Sequence, residues 1–183
     1  MPLSESTARR EAHERTIDMK VFARDDGLFD VEAHLIDRKP FPFWRIERDE
    51  PIPAGEPLHD LWLRVTLDET YTIRGIEAAS DITPFPLCKQ AEATVSVLVG
   101  ERIASGWSAK VKGALRGAAG CTHLMEMLIT LATPALQGIR GIVRKQKIAT
   151  EPKDVVAKLD TCFAYSRRRD VVKMYWPEHY RVD

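Results

Sequence analysis

The chain has 183 residues, enough for one domain with a sizeable hydrophobic core. Basic and acidic residues both number 27, so the chain lacks the basic excess that is typical of nucleic-acid-binding proteins. No apolar run approaches the roughly 18 to 20 residues of a membrane span, and the polar N-terminus is unlike a secretory signal. We therefore expect a cytoplasmic protein that binds neither nucleic acid nor membranes.

The first predicted structure, after a polar lead over residues 1–15, is a hairpin over residues 16–37. Two runs of alternating apolar and polar residues flank Asp26-Gly27. An Asp-Gly pair in this setting favours a two-residue type I′ turn. The acidic residues around it lack the spacing of an EF-hand loop. Residues 38–57 hold four prolines, each of which removes a ladder donor, and are interpreted as a loop or edge segment.

Two more strands are predicted over residues 59–80. Leu61, Leu63 and Val65 alternate with polar residues, as in a strand with one buried face. The sequence DETY turns the chain, and TIRGIEAAS returns as the second strand. The proline-rich DITPFPL that follows is expected to form a stiff loop.

From Cys88 onward the apolar period is that of a helix. A first helix is expected to end near Gly100 and a short second one to follow within residues 101–117. A long third helix, from about Cys121 to Ile142, is predicted to kink at Pro134. One apolar stripe runs along this third helix: Leu124, Leu128, Leu131, Ala135 and Ile139.

The tail permits either a helix to about Ala164 with an extended end, or a hairpin around RRRD. Because strands precede helices, the order favours an α+β fold, an antiparallel sheet with helices packed on one face. We expect a single domain over residues 1–183, in which residues 143–183 form a C-terminal extension.

A candidate site is predicted where cysteine and histidine open helices. At a helix N-terminus, free N–H groups and the dipole stabilise a thiolate, and this favours metal binding or nucleophilic attack by Cys121 beside His123. Cys88 opens the earlier predicted helix, so the two helix ends meet if both pack at one sheet edge. His59 and Asp60 begin a strand and point to opposite faces, so only one of them addresses a given site. Such ligands suit Zn or Fe.

Three further residues have expected roles. His13 and Arg15 are candidates for the second shell of a metal or for contact with an anion. The third thiol, Cys162, is expected to be a small buried hydrophobe. An odd number of cysteines in the expected compartment argues against a disulfide framework.

Several segments together, including RDDGLFDVEA, PLHDLWLRVTLD, PFPLC, LVGERIASGW and GCTHL, resemble an uncharacterised bacterial family, a domain of unknown function. More distantly, residues 58–142 are similar to the NifU/IscU-type iron–sulfur scaffold and sulfur-acceptor fold, with residues 16–57 as an added hairpin and proline-rich connection. This resemblance implies that Cys88 and Cys121 match the scaffold's middle and last cysteines, and His59 or Asp60 its strand-borne ligand. The scaffold's first cysteine has no counterpart, which favours a mononuclear Zn or Fe site over a cluster.

The sequence thus predicts a metal-binding protein rather than an enzyme, with an unidentified small molecule or protein as partner. One alternative is a cysteine-dependent enzyme, in which Cys121 is the nucleophile, His123 or His59 the base and Asp60 its orienting group. Another is a non-catalytic binding or assembly module with structural cysteines.

Overall fold

A computed structural model describes residues 3–45, 49–143 and 152–182, and the chain divides into two compact units, residues 1–143 and 144–183. In the first unit four antiparallel strands form one sheet in chain order. They are β1 (Glu14–Ala23), β2 (Phe29–Arg38), β3 (Pro57–Leu67) and β4 (Ile73–Ile82). This arrangement, followed by helices, confirms the predicted α+β class. Within the described residues, no helix has the length and apolar character needed to cross a membrane.

Both hairpins of the sheet close through three-residue loops. The backbone N–H of Arg24 donates to Leu28 O at 2.9 Å, and that of Gly27 to Arg24 O at 3.2 Å. The φ angle is positive at Gly27 (83°) and not at Asp26, so the predicted two-residue type I′ turn is wrong. The loop is a type I turn followed by one left-handed residue, a form that needs a positive φ at one position only and favours glycine there. Tyr71 (φ 66°) takes that position in the loop between β3 and β4.

The proline-rich segment between β2 and β3 is a connection outside the sheet, as predicted. It holds one isolated bridge, Phe43 to Ile52, and its residues 46–48 lie outside the described part of the chain. The polar lead before β1 forms no helix over residues 3–13.

One face of the sheet is buried under the helices. Along β2 every second side chain is buried, from Phe29 through Leu35 to Asp37. Three helices share a core with this face: α1 (Trp107–Leu115), α2 (Thr122–Thr130) and α3 (Ala132–Val143). The alternation in the sequence therefore identified the inward face correctly, because a strand side chain points to the same side every second residue.

The predicted long helix is two helices. The helix is interrupted at Leu131, and Pro134 lies in the first turn of α3. Proline has no N–H, and its ring clashes with the carbonyl four residues earlier, here that of Thr130, so the helix cannot continue through this point. The apolar stripe across both helices is buried as predicted.

The helix predicted to begin at Cys88 is a 3₁₀ helix over Pro86–Leu98, so Cys88 is its third residue. The hydroxyls of Thr94 and Ser96 donate to carbonyls three residues back, at 2.7 and 2.8 Å. Gly100 (φ 88°) follows the end of this helix, as predicted. A short 3₁₀ turn, Gly117–Ala119, connects α1 to α2.

The second unit has a small core of its own around Val155, Leu159, Val172 and Trp176. Its helices are α4 (Pro152–Val156), α5 (Asp170–Tyr175) and a 3₁₀ turn (Pro177–His179), and residues 144–151 lie outside the described part. Both predictions for the tail are wrong, since residues 152–182 hold neither a strand nor a helix that reaches residue 164. Cys162 is exposed, so its predicted burial is wrong too.

Candidate metal centre

Polar side chains replace apolar ones at one end of the buried sheet face. Arg15 of β1 pairs in register with Asp37 of β2, which in turn pairs with His59 of β3. Each of the three continues a row of inward-pointing side chains, because residues two apart on a strand share a face. The sheet therefore aligns a cation, a carboxylate and an imidazole across three adjacent strands.

Asp37 is the centre of this row, with only 1% of its side chain exposed. Arg15 donates a hydrogen bond to each carboxylate oxygen of Asp37, from Nε to Oδ1 at 2.7 Å and from Nη2 to Oδ2 at 2.8 Å. Nη1 of Arg15 donates to Glu126 of α2 at 2.5 Å, and His13 Nε2 is 3.3 Å from Asp37 Oδ1. Burial alone would raise the pKa of Asp37, but the hydrogen bonds and charge of Arg15 outweigh it and lower that pKa. Asp37 is therefore an ionised carboxylate at neutral pH.

Two histidines contact the same carboxylate oxygen. His59 Nδ1 is 3.0 Å from Asp37 Oδ2, and His123 Nε2 of α2 is 3.6 Å from it. The ring centroids of His59 and His123 are 3.9 Å apart. Burial, and then the charge of His123, lower the pKa of His59 to about 4. Burial and the charge of Arg15 lower the pKa of His123. Both rings are therefore neutral near pH 7, and each keeps one nitrogen lone pair for a ligand.

These three residues have the spacing of a metal-binding set. One ligand atom from each of Asp37, His59 and His123 lies within 4.8 Å of the others, and the described residues contain no other such group of three His, Cys, Asp or Glu. Ligands bound about 2.1 Å from one ion are roughly 3.0 to 3.5 Å apart in octahedral or tetrahedral geometry. The observed separations of 3.0 and 3.6 Å need little adjustment to reach that range.

The start of α2 positions the third of these residues. Cys121 is the N-cap residue of α2, and its Sγ is 3.8 Å from His123 Nδ1. Gly120, just before it, packs against Leu115, where a Cβ would lie only 3.0 Å from the Leu115 carbonyl oxygen. The absence of a side chain at Gly120 thus allows the start of α2 to approach the end of α1 closely.

A cleft of about 420 Å³ borders the histidines. Four of the residues that the sequence singled out line it, namely His59, Cys88, Cys121 and His123. The two cysteines therefore face one cleft, although neither belongs to the Asp37–His59–His123 group.

Asp60 lies apart from this group. It is on the opposite face of β3, where its Oδ1 is 2.7 Å from His34 Nε2 and the His34 ring stacks on Trp62 with centroids 3.6 Å apart. Sequence reasoning instead missed Asp37. The signal was present, because Asp37 occupies a position in the alternation of β2 where an apolar residue is expected after Leu35.

The fold and site define an α+β domain with a buried Asp–His–His cluster at one end of a four-stranded antiparallel sheet. The chain belongs to the protein family of unknown function DUF2889, whose family model matches residues 13–137. That stretch includes every side chain described at the site. No curated protein and no solved structure matches the chain, so the similarity to the NifU/IscU-type fold stays a prediction.

Proposed function

We propose that this protein binds one transition-metal ion, Zn²⁺ or Fe²⁺, through Asp37 Oδ2, His59 Nδ1 and His123 Nε2. The observation that carries the proposal is the mutual proximity of these three atoms on largely buried side chains. Two neutral imidazoles and a carboxylate form a ligand set that both ions accept. Three protein ligands also leave coordination positions open for water or another molecule.

The surrounding residues support a cation at this point. Asp37 and Glu126 carry two formal negative charges against one positive charge on Arg15, and His59 and His123, whose pKa values are lowered, add none. Arg15 fixes the orientation of the carboxylate, and Cys121 faces the ring nitrogen of His123 that the metal does not use. Outer contacts of this kind hold metal ligands in place.

The predicted cysteine ligands suggest a second arrangement of the same centre. If His59 Nδ1–H donates to Asp37, its Nε2 is left to bind a metal, and Cys88 and Cys121 border the same cleft as His59. In this arrangement Asp37 orients His59 without touching the ion. Substitutions distinguish the two ligand sets, because only the first requires Asp37 as a ligand.

The proposal is tested by elemental analysis and a UV–visible spectrum of protein purified without oxygen and without a metal-affinity tag. We expect about one Zn or Fe per chain, lost in Asp37→Asn and in His123→Gln. His34→Gln is the matched control, because His34 also contacts an aspartate, but on the opposite sheet face. Circular dichroism verifies that each variant is folded.

Two outcomes change the assignment. Folded wild-type protein that takes up neither Zn²⁺ nor Fe²⁺ when either ion is supplied contradicts metal binding. Metal that survives Asp37→Asn but not Cys88→Ser and Cys121→Ser assigns the ion to the cysteine ligand set.

A second candidate, a cysteine-dependent enzyme, is favoured by the order of contacts at the start of α2. Cys121 Sγ is 3.8 Å from His123 Nδ1, and His123 Nε2 is 3.6 Å from Asp37, so a thiol, an imidazole and a carboxylate follow one another. This candidate predicts that iodoacetamide labels Cys121 faster than the exposed Cys162, and that His123→Gln removes the difference. Slower labelling of Cys121 than of Cys162 counts against it.

A further inference from the structure

We infer that the cleft beside the proposed metal centre binds a small, largely apolar molecule that carries one donor group for the metal. The inference rests on the proposed function, since the metal supplies the polar end of the site. His59 and His123 both line the cleft and belong to the proposed ligand set. A molecule in the cleft therefore lies beside the open coordination positions.

The lining selects against charged molecules. Among the described residues that border the cleft there is no Asp, Glu, Lys or Arg. Apart from the histidines and cysteines, the lining is mostly apolar, with Leu61, Pro84, Phe85, Leu87 and Ala91. A phosphate or a second carboxylate has no cationic side chain to meet there, whereas an alkyl chain or a ring has apolar surface to contact.

The volume of the cleft and the exposed side chains at its rim suit a small, largely apolar ligand. A volume of about 420 Å³ falls in the range of small-molecule sites. At the rim, Phe85 is 42% exposed and Leu87 is 68% exposed. Burial of these side chains against a ligand gives a favourable hydrophobic contribution that a wholly polar ligand lacks.

The experiment compares two probes that differ only in their alkyl tail. Acetohydroxamic acid and octanohydroxamic acid present the same metal-binding group, and their affinities for the metal-loaded protein are measured by isothermal titration calorimetry. Metal content is determined in every sample before and after titration. We expect octanohydroxamic acid to bind about tenfold more tightly or better, because its tail removes apolar surface from water.

Two pairs of variants test where the tail lies. Ala91→Leu fills the cleft and is expected to remove the preference for the longer tail, whereas Ala93→Leu, exposed on the same 3₁₀ helix outside the cleft lining, is expected to keep it. If Ala91→Leu does not fold, Leu87→Asp places a charge at the rim, and the exposed Val97→Asp is its control.

The outcomes separate this inference from the metal proposal. Bound metal with equal affinities for the two probes overturns the inference and leaves the metal centre intact. Folded protein that takes up neither Zn²⁺ nor Fe²⁺ when either ion is supplied overturns both. Bound metal with a tail preference that is lost in Ala91→Leu and kept in Ala93→Leu supports the inference.

Discussion

Asp37 lies directly opposite His59 across β2 and β3, with His59 Nδ1 3.0 Å from Asp37 Oδ2. The pairing places an ionised carboxylate against a neutral imidazole at the inner face of a sheet. Arg15 holds the other side of the carboxylate, so the geometry of Asp37 is fixed from both neighbouring strands. The metal site proposed here therefore depends on strand register as much as on the ligands themselves.

Replacement of Arg15 by lysine tests the two parallel hydrogen bonds that Arg15 donates to Asp37. We expect Arg15→Lys to lower the free energy of unfolding by about 1 to 3 kcal/mol, because a single ammonium group cannot make both parallel hydrogen bonds to a buried carboxylate. Arg24→Lys is the control, since Arg24 pairs with the half-exposed Asp26 and its replacement is expected to change stability much less. Urea denaturation measures both, and equal losses would contradict the importance of this contact.

Gly120→Ala tests the close approach of α2 to α1. The new Cβ would lie 3.0 Å from the Leu115 carbonyl oxygen, so the start of α2 and His123 must shift. We expect metal affinity to fall roughly tenfold, as for other changes beside a metal ligand. Gly113→Ala in α1 meets nothing within 4 Å and is expected to stabilise the protein by up to about 1 kcal/mol. Metal titration and thermal unfolding measure the two effects, and unchanged metal affinity in Gly120→Ala would show that this contact does not position the site.

Gly138→Ala tests the packing of α3 on β1. A Cβ at Gly138 would lie 2.9 Å from both Cβ and Cγ1 of Val21. Overpacking of this kind is expected to cost about 1 to 3 kcal/mol in unfolding free energy. The double variant Gly138→Ala with Val21→Ala removes the close contacts with Cγ1 and Cγ2 but keeps the one with Cβ, and it is expected to be less destabilised than the two single changes summed. Additive losses would argue against a direct contact.

The ionisation of Asp68 makes the stability of the folded protein depend on pH in the acid range. Burial would raise its pKa, but hydrogen bonds from the Thr70 hydroxyl, the Thr72 backbone and Arg74 lower it from 3.8 to about 2. A depressed carboxylate pKa stabilises the folded state above the unfolded pKa, and that stability is lost as the pH falls from about 4 to 2. Because solvent screens the contact with the exposed Arg74, we expect this contribution to be about 1 kcal/mol.

Stability curves of wild type and Asp68→Asn measure this contribution. We expect the difference between them to be full at pH 6 and to shrink as the pH drops below 4. A difference that stays constant down to pH 2 would show that the charge of Asp68 does not stabilise the β3–β4 turn.

Local patterns in the sequence predicted most of the fold because burial of one sheet face imposes a period of two. The strands, the buried helix stripe and Gly100 all followed from such patterns. The same period assigns His59 to the inner face with Leu61, and it assigns Asp60 to the outer face. When the same period of two is applied to β2, it places the polar residue Asp37 on the inner face.

Other features depended on contacts that no local pattern encodes. The meeting of Asp37 with His123 depends on how α2 docks on the sheet, and that docking depends on the contact between Gly120 and Leu115. The tail was mispredicted because its short helices pack on a separate small core around Trp176. Within that unit Arg167 binds Asp160 and Arg169 lies over the Phe163 ring, contacts that the run RRRD alone does not specify.

The proposed ligands come from two strands and from a helix much later in the chain. Their order in the sequence determines when an ion can bind to all three. During synthesis, a nascent chain that ends before α2 holds Asp37 and His59 but lacks the third ligand. The complete proposed ligand set therefore exists only once α2 has been made and has docked on the sheet. Because Arg15 compensates the charge of the buried Asp37 carboxylate without a metal, we expect the protein to fold before an ion binds.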